Sequence, residues 1–81
     1  MNGPLVFKAA EAIATAAIDS DSPIETIYRR ILFRSPVAEE LDEASSFLQD
    51  YQRQFGEDGE PQALRALCRV LFASNEFLYV E

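Results

Sequence analysis

The 81-residue sequence predicts an all-α fold, a compact bundle of four main helices. Three observations predict it. Apolar residues recur at helical period in four successive stretches, and no stretch alternates at the period of a strand. Short polar runs rich in Ser, Asp and Gly separate those stretches. Each of the four prolines stands at the expected start of a helix, the one helical position where its missing N–H costs nothing. The expected spans are 4–19, 23–34, 36–55 and 61–73, followed by a short C-terminal turn.

The first helix opens on Asn2-Gly3-Pro4 and carries alanines at 9, 10, 12, 14, 16 and 17, all strong helix formers. Lys8, Glu11, Thr15 and Asp19 line one polar strip, while Val6, Ala10, Ile13 and Ala17 line the opposite side. Alanines on a buried face imply close approach of a neighbouring helix. In the second helix Ile24, Ile27, Tyr28, Ile31 and Leu32 fall at i, i+3, i+4, i+7 and i+8, a full apolar stripe. Ser22-Pro23-Ile24-Glu25 in front of it predicts a capping box, a hydroxyl at the N-cap answered by a glutamate three residues on. Arg34-Ser35-Pro36 closes this helix and opens the next, because proline disfavours helical geometry in the residue before it.

The third helix concentrates Glu39, Glu40, Asp42 and Glu43 near its positive end, a favourable placement. Leu41, Ala44, Leu48, Tyr51 and Phe55 mark its buried stripe, with Phe47 at the margin, and Gly56 takes the left-handed position after it. Glu57-Asp58-Gly59-Glu60 forms an acidic turn. From Pro61 the fourth helix buries Leu64, Leu67, Cys68, Leu71 and Phe72, and Ser74 or Asn75 is expected to cap one further turn.

A chain of this length is one small domain, read here as residues 1–81, burying only ~60% of its unfolded surface. A net charge of −7 with only seven basic residues argues against a polyanionic partner, since nucleic-acid binding draws on a concentrated Lys/Arg surface. No apolar run reaches the ~18 residues that would span a bilayer, and no secretory leader opens the chain. The absence of histidine removes the Ser-His, Cys-His and imidazole–metal constellations. The lone Cys68 shares the apolar stripe of its helix and reads as an inert core thiol. The acids of the third helix read as a solvated face. The acidic turn lacks the alternating oxygen ligands of a calcium loop, so no cofactor or metal is expected, and no enzyme.

Two stretches carry a resemblance. Tyr28-Arg29-Arg30-Ile31-Leu32-Phe33-Arg34-Ser35-Pro36 with Glu39-Glu40 is similar to a YRxxLxRxPxxxE motif. Leu71-Phe72-Ala73-Ser74-Asn75-Glu76-Phe77-Leu78-Tyr79-Val80-Glu81 is similar to a LLxSNEFLYVD ending. With Asn2-Gly3-Pro4-Leu5-Val6 at the start, the sequence resembles the C-terminal domain of unknown function of large planctomycete secreted proteins. Parents of that family often carry a cytochrome-c-like haem domain. No Cys-x-x-Cys-His stands here, so the resemblance carries no haem to these residues. The family usually has glycine where Phe33 stands and often threonine at Val37. The corner at Phe33 is therefore expected to form by other means, and Ser35 to cap the third helix.

The resemblance implies an exported parent whose last folded unit is this domain. The function expected is that of a non-catalytic helical module packing on the parent chain or a protein partner. The alternative, from another class, is a small ligand-binding domain, for example for carbohydrate, using Tyr28, Tyr51 or Tyr79. The candidate interaction surface comprises Phe77, Leu78 and Tyr79 from the ending and Arg29, Arg30 and Arg34 from the second helix. The three arginines are expected to face the acids of the third helix. The apolar ending is expected to fold back onto the domain.

Overall fold

The computed structural model describes residues 4–56 and 59–78, and the side chains of 8–56 and 59–74. Four helices follow in order: α1 (Pro4–Ile18), α2 (Pro23–Leu32), α3 (Ala38–Phe55) and α4 (Gly59–Leu78). The all-α, four-helix reading of the sequence is what the chain folds into. One apolar core joins all four, and α4 is its hub, packed on each of the others. It supplies Leu64, Leu67, Cys68 and Leu71, α2 supplies Ile27, Tyr28 and Ile31, α1 supplies Ala10, Ala14 and Ala17, and α3 supplies Ala44. Ile27, Leu64 and Cys68 are fully buried. The small side chains of α1 let its backbone approach α4 closely, and Lys8, Glu11, Thr15 and Asp19 face away from the core as expected.

The turn from α1 to α2 is pinned differently from the expected capping box. Ser22 is the N-cap of α2, but its hydroxyl makes no cap bond, and only its carbonyl accepts, from the Thr26 N–H at 2.9 Å. Glu25 does not reach back to Ser22. Its carboxylate is drawn forward to Arg29 at 3.1 Å and accepts a hydrogen bond from the Ser35 hydroxyl at 3.0 Å. The polar pins of this turn are Ser20 and Thr26 instead. Ser20 donates from its N–H (3.0 Å) and its hydroxyl (2.9 Å) to the Ala17 carbonyl, and Thr26 Oγ1 donates to Ser20 Oγ at 3.0 Å.

The second corner also departs from expectation. Helix α2 ends at Leu32 rather than residue 34, and α3 begins at Ala38 rather than at Pro36. Phe33 itself takes the left-handed conformation that glycine would supply, φ 59° and ψ 32°, and its N–H donates to the Arg29 carbonyl at 3.1 Å. Bonds from Arg29 and Ser35 on one side and from Arg34 to Glu40 on the other brace the corner. Ser35 does not cap α3, because its hydroxyl is spent on Glu25. Val37 stands at the N-cap in extended geometry; its carbonyl accepts from the Leu41 N–H at 2.9 Å, but its side chain offers the helix no acceptor. What starts the helix is the reverse half of a capping box: Glu40 Oε1 accepts from the Val37 N–H at 3.0 Å.

Helix α3 then buries only Ala44, with Phe47 and Leu48 packed on the core's edge. Leu41 and Phe55, expected inside, are 44% and 46% exposed. The physical reason is length: α3 spans about 27 Å at 1.5 Å per residue, it packs chiefly on α4, and α2 scarcely touches it. Phe47, Tyr51 and Phe55 form an aromatic ladder along one face, Tyr51 stacked on Phe55 at 4.9 Å and tilted to Phe47 at 5.8 Å. Gly56 ends α3 with φ 71° and ψ −140°, a conformation that L side chains rarely adopt.

Helix α4 starts two residues before Pro61, at Gly59, and its helical backbone continues through Leu78, past the end expected at residue 73. Gly59 is buried against α3: a Cβ there would lie 2.7 Å from the Cα of Gln52. The absence of a side chain is what lets the two helices meet. Ser74 and Asn75 lie in mid-helix, not at a helix start. In mid-helix each costs only a few tenths of a kcal/mol relative to alanine, too little to stop a helix already propagating.

Candidate functional site

Helices α3 and α4 run antiparallel, with Gly59 against Gln52 at one end. Towards the other end, together with the C-terminal part of α2, they line a half-open groove of ≈ 420 Å³. Leu32, Ala44, Phe47, Leu67 and Leu71 give it an apolar floor. Arg34, Glu40, Glu43, Val70 and Ser74 line it as well, and Tyr28 contributes a buried aromatic ring. Val70, on the α4 side, is 49% exposed.

The geometry of the groove's charged side follows from the corner. The chain turns at Phe33, and this brings Arg34 over the first turn of α3. Its guanidinium grips Glu40 with two parallel bonds, Nη1 to Oε1 at 2.7 Å and Nη2 to Oε2 at 2.8 Å. Arg34 also donates to the Ser35 carbonyl at 3.2 Å. The guanidinium bonds, with the Val37 N–H behind them, hold the Glu40 carboxyl down at about 2. Burial pushes the Tyr28 phenol up from its ordinary range, and the neighbouring Glu40 adds to that push. Glu43 has no ion pair with a described residue.

The sequence-predicted surface residues divide accordingly. Arg34 faces an acid of α3, as expected. Arg29 instead pairs with Glu25 on its own helix and donates to Ser35 Oγ at 3.3 Å. Arg30 is exposed and makes no ion pair among the described residues. Arg29, Phe33, Arg34 and Ser35 share a shallow depression on the outer side of the corner, which Arg30 does not enter. Phe77 and Leu78 lie in the helical backbone of α4, but their side chains, like all of Tyr79, are outside the described residues. Among the tyrosines, Tyr28 lines the groove, while Tyr51 sits in the aromatic ladder of α3 and does not. Tyr28 and Tyr51 are therefore not brought to one site.

Cys68 is fully buried, and burial pushes its thiol up to about 12. Burial without a cationic partner strong enough to offset it is the setting of an inert core thiol. Glu39, Asp42 and Glu43 are exposed along α3, as a solvated acidic face would be. No three His, Cys, Asp or Glu among the described residues are placed to hold a metal ion. None of the described helices is long and apolar enough to cross a membrane.

Sequence reasoning did not pick out the groove itself. One signal pointed to it: Val70 is an apolar residue on α4 that fits no position of the buried stripe at 64, 67, 68 and 71. The groove also unites the two stretches that carry the family resemblance. Tyr28, Leu32, Arg34 and Glu40 come from the first, and Leu71 and Ser74 from the second. Comparison with protein-family models, with curated proteins and with solved structures finds no match to this chain.

Proposed function

We propose that this chain is a non-catalytic helical module that closes the C-terminal end of a larger exported protein and packs on that parent chain or on a protein partner. One observation carries this reading: two stretches more than thirty residues apart in sequence converge on a single half-open groove with an apolar floor. An apolar surface of this kind, rimmed by polar groups, is what a docking face requires. The resemblance supplies the context of an exported parent and a terminal position. The test is amide hydrogen exchange on the full-length gene product and on the isolated 81-residue chain. Amides of α2 and α4 that line the groove, those of Leu32, Val70, Leu71 and Ser74, are expected to exchange more slowly in the full-length product. Equal exchange in both would overturn docking on the parent chain.

A small-ligand reading has its own support, since the groove falls in the ~300–1,000 Å³ range of ligand pockets and Tyr28 lines it. Titration of the isolated chain with neutral oligosaccharides, followed by NMR, tests it. Saturable shifts confined to Tyr28 and its groove neighbours would favour this reading over docking.

A further inference from the structure

We infer that the groove between α2, α3 and α4 takes a basic amphipathic helical segment of a protein partner, an inference that rests on the docking reading and names the chemistry of its partner. The shape argument comes first. Two antiparallel helices with an apolar floor between them form the trough into which an amphipathic helix lays one face. Leu32, Phe47, Leu67 and Leu71 are the floor, and Val70 stands half-exposed at its edge. An apolar anchor entering there covers Val70 and completes the burial of Phe47.

The charge argument selects the partner. Arg34 is neutralised by its two bonds to Glu40, so the one cation among the described residues that line the groove is already matched. Glu43 lines the groove without an ion pair to a described residue. Glu39, one turn earlier on the same helix face, is exposed and also without an ion pair among the described residues. The rim therefore presents uncompensated negative charge beside an apolar trough, on a chain of net charge −7. Lys or Arg on the flank of an apolar helix face complements it, whereas an acidic segment is repelled. The same sign disfavours nucleic acid.

The probe is a synthetic helical peptide of leucines and lysines, with leucines along one face, titrated into the ¹⁵N-labelled chain. Saturable shifts are expected at Phe47, Val70 and Leu71, weakening as salt rises. Glu43→Lys is expected to weaken binding about tenfold, and Val70→Asp by at least as much. Val70→Ser, checked by its melting curve, covers the case in which the aspartate variant fails to fold. Glu11→Lys, an equal charge change on exposed α1, is expected to leave the affinity unchanged. A matching peptide with glutamate in place of lysine is expected not to bind. Equal weakening by Glu11→Lys and Glu43→Lys would overturn the inference, because net charge alone would then explain binding. So would shifts away from the groove, tight binding of the glutamate peptide, or nuclear Overhauser contacts showing that the chain's own residues after Ser74 fill the groove. Slowed exchange of the groove amides in the full-length product together with no binding of the lysine peptide would refute the partner chemistry and leave the docking reading standing.

Discussion

Phe33 is held with φ 59° and ψ 32° while its side chain is 84% exposed. A non-glycine residue in this region costs about 1–2 kcal/mol, and the exposed ring offsets little of that through burial. Phe33→Gly should therefore raise stability by about 0.5–1 kcal/mol, the strain relieved less the extra entropy that glycine loses on folding. Urea unfolding measures it, and a glycine variant less stable than the parent would mean the ring makes a contact that matters. Glu40 gives a second residue-scale expectation. Its carboxyl is lowered to about 2 from an ordinary 4.5, so the folded state favours the ionised form. Its stability contribution is fully present above about pH 4.5 and is lost as pH falls through about 2. The pair lies at the surface, where solvent screening keeps the effect small. Urea midpoints of the parent should fall across this window more steeply than those of Glu40→Gln, and parallel curves would show that the clamp contributes nothing to folding.

At the scale of the element, the number and order of the helices were legible because the apolar periodicity breaks between each pair and a proline stands near each helix start. The ends were not legible. A sequence shows which side chains are able to cap, but not which partner each one prefers. Ser22 and Glu25 have the spacing of a capping box, yet Glu25 finds Arg29 and Ser35 within reach and Ser22 is left without a cap bond. Ser22→Ala should consequently change stability by less than about 0.5 kcal/mol, rather than the ~1 kcal/mol of a working cap. Leu41 and Phe55 satisfied the apolar period of α3, but period does not say how far a neighbouring helix reaches. The groove was hidden for a related reason: residues of three helices line it, and which residues meet there is a property of packing. Gly59 read as part of a loose turn, whereas it is the contact point of α3 and α4. Gly59→Ala places a methyl group 2.7 Å from the Gln52 Cα, against backbone that cannot swing aside. The expected loss is about 1–3 kcal/mol by thermal or urea unfolding, and a neutral result would show that the helices separate there without penalty.

For the molecule as a whole, Cys68 is a built-in reporter of opening. It lies fully buried on the hub helix, in the core cluster that all four helices share. With its thiol pushed up to about 12, it is both inaccessible and protonated at neutral pH while the fold is closed. A thiol reagent therefore reacts only through opened states. For a small domain of about 5 kcal/mol stability, those states hold on the order of one molecule in several thousand. Labelling of the native chain should be slower than that of the urea-unfolded chain by a similar factor, and rapid labelling without unfolding would remove Cys68 from the core. The same reaction reads the apolar ending. The sequence leads to the expectation that Phe77 folds back onto the domain, and truncating a buried phenylalanine costs about 3–5 kcal/mol. Phe77→Ala should then accelerate Cys68 labelling by about a hundredfold or more, since each 1.4 kcal/mol is a factor of ten in the opening equilibrium. Unchanged labelling in the variant would show that Phe77 contributes nothing to closing the core and would overturn the fold-back expectation.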